Sequence, residues 1–197
     1  MFDDSNAVER VLSLLGAALE AVEAGPYELV VVGGAAMSVL GIGVRATKDI
    51  DVLGLREPFA VTKYKPLPDP LIAAVAAVAD ALQLDADWLN ARPADLLDHG
   101  LPEGFEGRLT VARFGPRLAV WYPSREDLIC LKTYAAADLG PGRHTEDLQA
   151  LHPSCEELLA GARWAQSQDP SEAFRGMLAG LLAYFGCETA GEELSHE

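Results

Sequence analysis

Asp49 and Asp51 stand two residues apart in the apolar run from Lys48 to Leu53, and Gly33-Gly34 closes an earlier apolar run that ends at Val32. In a strand, successive side chains alternate between faces. Asp49 and Asp51 then share one face while Ile50 and Val52 enter the core. Ionised carboxylates give up hydration when buried, and two side by side repel unless a proton or cation lies between them. Mg²⁺, or Mn²⁺ in its place, suits such a pair, because it is a hard ion that prefers carboxylate oxygen and keeps positions open for phosphate. Two such ions held about 3.5–4 Å apart can activate an attacking oxygen and steady a leaving pyrophosphate. The glycines supply the complement: backbone approaches phosphate closely only where no Cβ intervenes, and a following helix offers unpaired N–H groups. One end of the stretch suits phosphate and the other suits metal, which is the layout of a nucleotide site.

The surrounding sequence must position these groups. Ser5 can cap a helix over residues 6–24, with Val8, Val11, Leu12, Leu15 and Leu19 on one face and Gly25-Pro26 ending it. Residues 27–32 have the profile of a strand covered on both faces, 35–40 are helical in composition and 48–53 form the next strand. The proline-rich stretch 58–70 reads as a loop, with Lys63 and Lys65 as solvated charges. Residues 69–82 read as an Ala/Val helix and 85–90 as a short strand. Residues 108–114 and 118–122, joined by Gly115-Pro116-Arg117, make a hairpin. From Ser124, with Asp127 three residues on, the pattern turns helical, with helices over 146–151, 154–166 and 171–185 and a frayed acidic tail after them. The expected layout is an α/β core over residues 1–123 and a helical region over 124–197 packed on it.

Composition narrows the class. Thirty acidic against fifteen basic residues give a formal charge of −15, which disfavours general binding to nucleic-acid backbones or anionic membranes. Half of the 197 residues are hydrophobic, enough for a sizeable core. The N-terminus lacks a signal-peptide pattern and no apolar run is long enough to span a membrane. Cys130, Cys155 and Cys187 are odd in number, widely separated and without metal-ligand spacing, so a reducing, cytoplasmic setting is expected.

Gly33-Gly34-Ala35-Ala36 followed by Arg45-Ala46-Thr47-Lys48-Asp49-Ile50-Asp51 resembles the nucleotidyltransferase superfamily that includes polymerase-β-like enzymes. The resemblance is strongest to the bacterial branch of AbiEii-like abortive-infection toxins and their relatives, and it touches residues 28–150. It implies an α/β (α+β) core in which a short mixed sheet is flanked by helices. It also implies transfer of a nucleoside monophosphate from an NTP to an acceptor, and a third carboxylate on a later strand. The hairpin strands carry none, which leaves Asp87 in Asp87-Trp88-Leu89-Asn90, with Asp85 on the same face as a competitor. Carried over residue by residue, Asp49, Asp51 and Asp87 would bind metal and serve catalysis, Asp87 as base or second-metal ligand. Gly33, Gly34, Arg45 and Thr47 would contact the nucleotide. Lys132, in Leu131-Lys132-Thr133-Tyr134-Ala135, would neutralise the triphosphate. The acceptor would be tRNA or protein, and a cognate antitoxin a partner. One departure is Ala35, where many members of the superfamily carry serine.

Other readings compete. A Rossmann turn shares the outline of glycines followed by an acid, but Gly-x-Gly is missing and the strand runs on past Asp51. Arg45 and Thr47 can instead tether the loop that leads into the strand, Lys132 can lie along the core with its charge at the edge, and Asp87 can cap a turn. Arg143, His144 and Asp147 resemble a polar cluster of the toxin-like relatives, yet suit a salt bridge at the start of a helix. If the third carboxylate fails to meet the first two, the chain is a non-catalytic binding or interaction module on the same fold.

Overall fold

The computed structural model describes residues 2, 4–42, 46–58 and 60–195. The chain divides into two compact units, Met1–Ser124 and Arg125–Glu197. The first is a six-stranded mixed sheet flanked by helices.

The first helix, α1, covers Ser5–Ala21 and is capped by Asp4, whose Oδ1 accepts from the Ala7 amide at 2.7 Å. Asp4 replaces the expected Ser5 because its carboxylate both satisfies an orphan N–H and suits the positive end of the helix. Val8, Leu12, Leu15 and Leu19 are fully buried, each contributing about 1.5–3 kcal/mol of transfer free energy relative to exposure. β1 (Tyr27–Val32) is central, paired antiparallel with β2 (Ile50–Glu57) on one side and parallel with β6 (Leu118–Tyr122) on the other. That position explains its unbroken Leu29-Val30-Val31 run, buried on both faces. β5 (Thr110–Arg113) closes the far edge as the antiparallel partner of β6, the expected hairpin.

Several elements differ from the sequence reading. β2 begins at Ile50 and continues to Glu57, then folds back onto β3 (Ala60–Thr62), so the stretch 58–70 is a loop only after Thr62. The strand is tolerated because Pro66, Pro68 and Pro70 follow the ladder instead of interrupting it. α2 covers Gly33–Val39 and α3 covers Asp69–Leu82; α1 packs against both. The expected strand over 85–90 shrinks to β4 (Leu89–Asn90), which pairs parallel with β2.

The second unit is helical: α4 (Arg125–Leu139), α5 (Arg143–Ala150), α6 (Cys155–Gln168), α7 (Glu172–Tyr184) and α8 (Glu188–Ser195). α4 packs against α5, α6 and α7, which is why it buries polar Asp127, Lys132 and Thr133 beside Leu128 and Ile129. Gly161 lets α6 approach it: a Cβ there would meet Thr133 Oγ1 at 3.0 Å and Cys130 Cα at 3.4 Å. Ser154 and Glu157 form a capping box on α6. Glu157 also receives Arg125 Nη1 at 2.5 Å, and Arg125 Nε donates to the Leu151 carbonyl at 2.9 Å. The residues read as a frayed tail form α8, whose Ala190 and Leu194 are buried. A disulfide joins Cys155 to Cys187, with Cα atoms 5.5 Å apart, a pairing that the expectation of a reducing setting did not foresee. A separation of 32 residues carries no pairing signal; the packing of α8 against α6 and α7 brings the two together.

Candidate active site

The antiparallel register of β1 and β2 sets Val32 opposite Asp51, so the end of one strand lies beside the start of the other. Gly33, the next residue, adopts a φ of +73°, and a Cβ on it would stand 2.9 Å from Asp51 Oδ2. Glycine is favoured here by its conformation, and a side chain would have to displace the end of the Asp51 carboxylate. The turn and Asp51 are therefore in direct juxtaposition. Val32, the residue before α2, makes no side-chain capping hydrogen bond to it.

Thr47 shapes the approach to β2. Its backbone exchanges hydrogen bonds with Phe2, at 2.7 and 3.0 Å, and its buried hydroxyl donates to the Asp49 carbonyl at 3.0 Å. This is the tethering arrangement, and the hydroxyl is spent on backbone. Arg45 lies outside the described residues.

β4 is placed by Trp88. The ring is buried, its Nε1 donates to the Val75 carbonyl at 3.1 Å, and its own carbonyl accepts from the Ile50 amide at 2.6 Å. Pairing then begins at Leu89, with Asn90 opposite Asp51. Asp87 consequently falls in the turn before β4 and not on a strand, with its side chain 59% exposed. Asp85 is exposed as well. The polar side chain in register beside Asp51 is an amide.

Arg92 connects what the strands do not. Its Nη1 donates to Asp49 Oδ2 at 3.0 Å, and its Nη2 donates to Asp87 Oδ2. Asp49 is the more enclosed carboxylate, 22% exposed against 60% for the arginine. Asn90 Oδ1 accepts from the Arg92 amide at 3.0 Å, a local turn that launches a 3₁₀ helix over Arg92–Asp98. That helix packs on β2, buries Ala94, and is held at its far end by Lys63, 2.9 Å from Asp95 and 2.7 Å from Asp98. Lys65 adds a contact to Asp95, and Lys65 with Lys63 holds the Asp95 carboxyl at about 2. Lys63 and Lys65 thus tether the segment that carries Arg92, a use the reading as solvated charges does not foresee. Sequence reasoning missed Arg92 and Asn90, and the only signal for them was polar spacing after Trp88-Leu89.

Lys132 belongs to the second unit. It is 6% exposed and its Nζ lies 2.6 Å from Asp147 Oδ2, itself 7% exposed. Arg143 Nε donates to His144 Nε2 at 3.2 Å.

A strand–glycine turn–helix set against an Asp-x-Asp strand is the outline on which comparison with known proteins bears. Residues 12–148, more than half of the chain, match the family described as "Nucleotidyltransferase of unknown function (DUF6036)". The chain belongs to that family. Comparison with curated proteins and with solved structures gave no match. The matched span takes in the glycine turn, Asp49, Asp51, Asp87, Arg92 and Lys132. Among the described residues no helix is long and apolar enough to cross a membrane.

The donor chemistry of Asp51, a carboxylate beside the Gly33 turn, and of Asp49, two residues before it, suits one hard divalent cation. A larger set does not assemble: among the described residues no group of three or more His, Cys, Asp or Glu side chains is placed to hold a metal ion. The guanidinium of Arg92 stands between Asp49 and Asp87.

Proposed function

We propose that this nucleotidyltransferase moves a nucleoside monophosphate from an NTP to a hydroxyl of RNA or protein, using Asp49 and Asp51 to hold Mg²⁺ or Mn²⁺. The juxtaposition of Asp51 with the Gly33 turn carries the reading, since it sets a phosphate-compatible backbone against a metal-compatible carboxylate. Gly33 and Gly34 would let the triphosphate approach the backbone. The cation would neutralise phosphate charge as it builds up. The acceptor oxygen forms its bond to the α-phosphorus, the bond to pyrophosphate breaks, and the acceptor's proton passes to a carboxylate, for which Asp87 is the candidate. Positioning and charge stabilisation supply the rate in such a site. Lys132 keeps its expected role against the triphosphate only if Asp147 releases it.

The resemblance of Arg45-x-Thr47-x-Asp49-x-Asp51 to AbiEii-like toxins supports a cytoplasmic role in a toxin–antitoxin or phage-defence pair, with tRNA or protein as acceptor. A charge of −15 favours a compact contact over extended RNA binding. The second reading, a non-catalytic module that meets a partner such as an antitoxin, is favoured by the engagement of Asp87 and Asp49 with Arg92.

Incubation with labelled NTPs, Mg²⁺ and a total cell extract separates the two. Label transferred to a macromolecule by the wild type and lost in Asp51→Asn supports transfer; an equal signal from both proteins assigns the activity elsewhere.

A further inference from the structure

We propose that Arg92 is a built-in counter-cation of the site. It holds Asp49 and Asp87 together when no divalent ion is bound, and competes with such an ion for the charge of Asp49. The proposal rests on the reading of Asp49 and Asp51 as the cation site and concerns the residue that regulates access to it.

The geometry gives Arg92 two carboxylates at once, one on each terminal nitrogen. A planar guanidinium is suited to spanning two acceptors, which a point-charge ammonium does less well. The carboxylate it contacts on Asp49 carries the negative charge that a hard cation would also draw on, and two cations at one carboxylate repel. Occupancy by one cation therefore opposes occupancy by the other. Asp49 and Asp87, brought together on one guanidinium, would otherwise repel, and the arginine offsets this in the metal-free protein.

The anchoring of Arg92 separates backbone from side chain. Its backbone is fixed by the Asn90 turn, by the burial of Ala94, and by Lys63 on Asp95 and Asp98. Its side chain is mostly solvent-exposed, so it can rotate away without disturbing packed residues. A structural brace would be expected to bury its guanidinium against the core. An exchangeable one leaves it at the surface, where ion pairs are weak and readily traded.

Mn²⁺ binding to the full chain without nucleotide, read by electron paramagnetic resonance of the free ion, tests the proposal. Arg92→Gln should bind Mn²⁺ about fivefold more tightly than wild type, the order expected when one exposed ion pair no longer competes, and should melt at a lower temperature without metal. Arg92→Lys, which keeps the charge but not the fork, should fall between the two. It also stands in for Arg92→Gln should that variant fail to fold, and must then exceed wild-type affinity. Mn²⁺ affinity in both variants equal to or weaker than wild type overturns the role of Arg92 while sparing the cation site, provided Asp51→Asn still abolishes binding. Binding that survives Asp51→Asn places the ion elsewhere and overturns both.

Discussion

Two cation–carboxylate contacts, one in each unit, use the same chemistry to opposite ends. Lys132 and Asp147 are sealed among α4 and α5, each almost wholly inaccessible. Arg92 reaches Asp49 and Asp87 from the surface of β2's neighbourhood, with its guanidinium largely in water. A buried pair has already lost its hydration, so removing one partner strands a charge; an exposed pair returns to water when broken. Burial turns an ion pair into a fixture, and exposure leaves it exchangeable. For the proposed site, which would accept a cation and a triphosphate, the exchangeable form is the useful one.

The largest effect that could break this contrast is at Lys132. Lys132→Ala should destabilise the protein by about 3–5 kcal/mol in urea denaturation, because Asp147 loses the ammonium that offsets its buried charge. Replacing both residues together, Lys132→Met with Asp147→Leu, should recover most of the loss. A cost below about 1 kcal/mol for the single change would mean that the pair is no fixture. Next is Gly33→Ala, which imposes a positive φ on an L-residue and presses a Cβ onto Asp51 Oδ2. A loss of about 1–2 kcal/mol in thermal unfolding is expected from the conformation alone. NTP affinity should fall with it, whereas unchanged affinity would separate the turn from the nucleotide.

The smallest effect sharpens the exposed side of the contrast. Arg125, followed by the Ser154 backbone, holds the Glu157 carboxyl below its ordinary value of 4.5. A carboxyl depressed in the folded state contributes stability that is fully present above its unfolded value and fades as pH falls through its folded value. The stability advantage of wild type over Glu157→Gln should therefore shrink as pH drops below about 4.5. It should amount to under about 1 kcal/mol, since both side chains are partly in water. An advantage that grows on acidification would contradict the assignment.

What the sequence disclosed follows from the range of the interactions involved. α3 was legible with its bounds at Asp69 and Leu82, because a leading proline and an apolar stripe of Leu71, Val75 and Val78 are local signals. β1 was legible from a short β-branched run, the profile of a strand covered on both faces. Gly33-Gly34 and Asp49-x-Asp51 stood out because each departs from what its element would otherwise prefer. Arg92 did not, since its contact with Asp49 spans 43 residues and depends on a two-residue strand whose register is fixed by the burial of Trp88. The same holds for α8, a short helix whose place is set by its packing against α6 and α7 and by the Cys155–Cys187 link. β3 hid behind neighbouring prolines that lie just outside its ladder.

The central claim, that Asp49 and Asp51 with the Gly33 turn form a cation-dependent nucleotide site, is tested most directly by melting temperature with and without Mn²⁺ and NTP. Clustered carboxylates gain stability when a cation neutralises them, and a ligand bound only by the folded state stabilises by mass action, about 2.7 kcal/mol at a hundredfold excess over its dissociation constant. The wild type should show a clear upward shift that needs metal and nucleotide together. Asp51→Asn should lose that shift. An equal shift in wild type and Asp51→Asn would contradict the account.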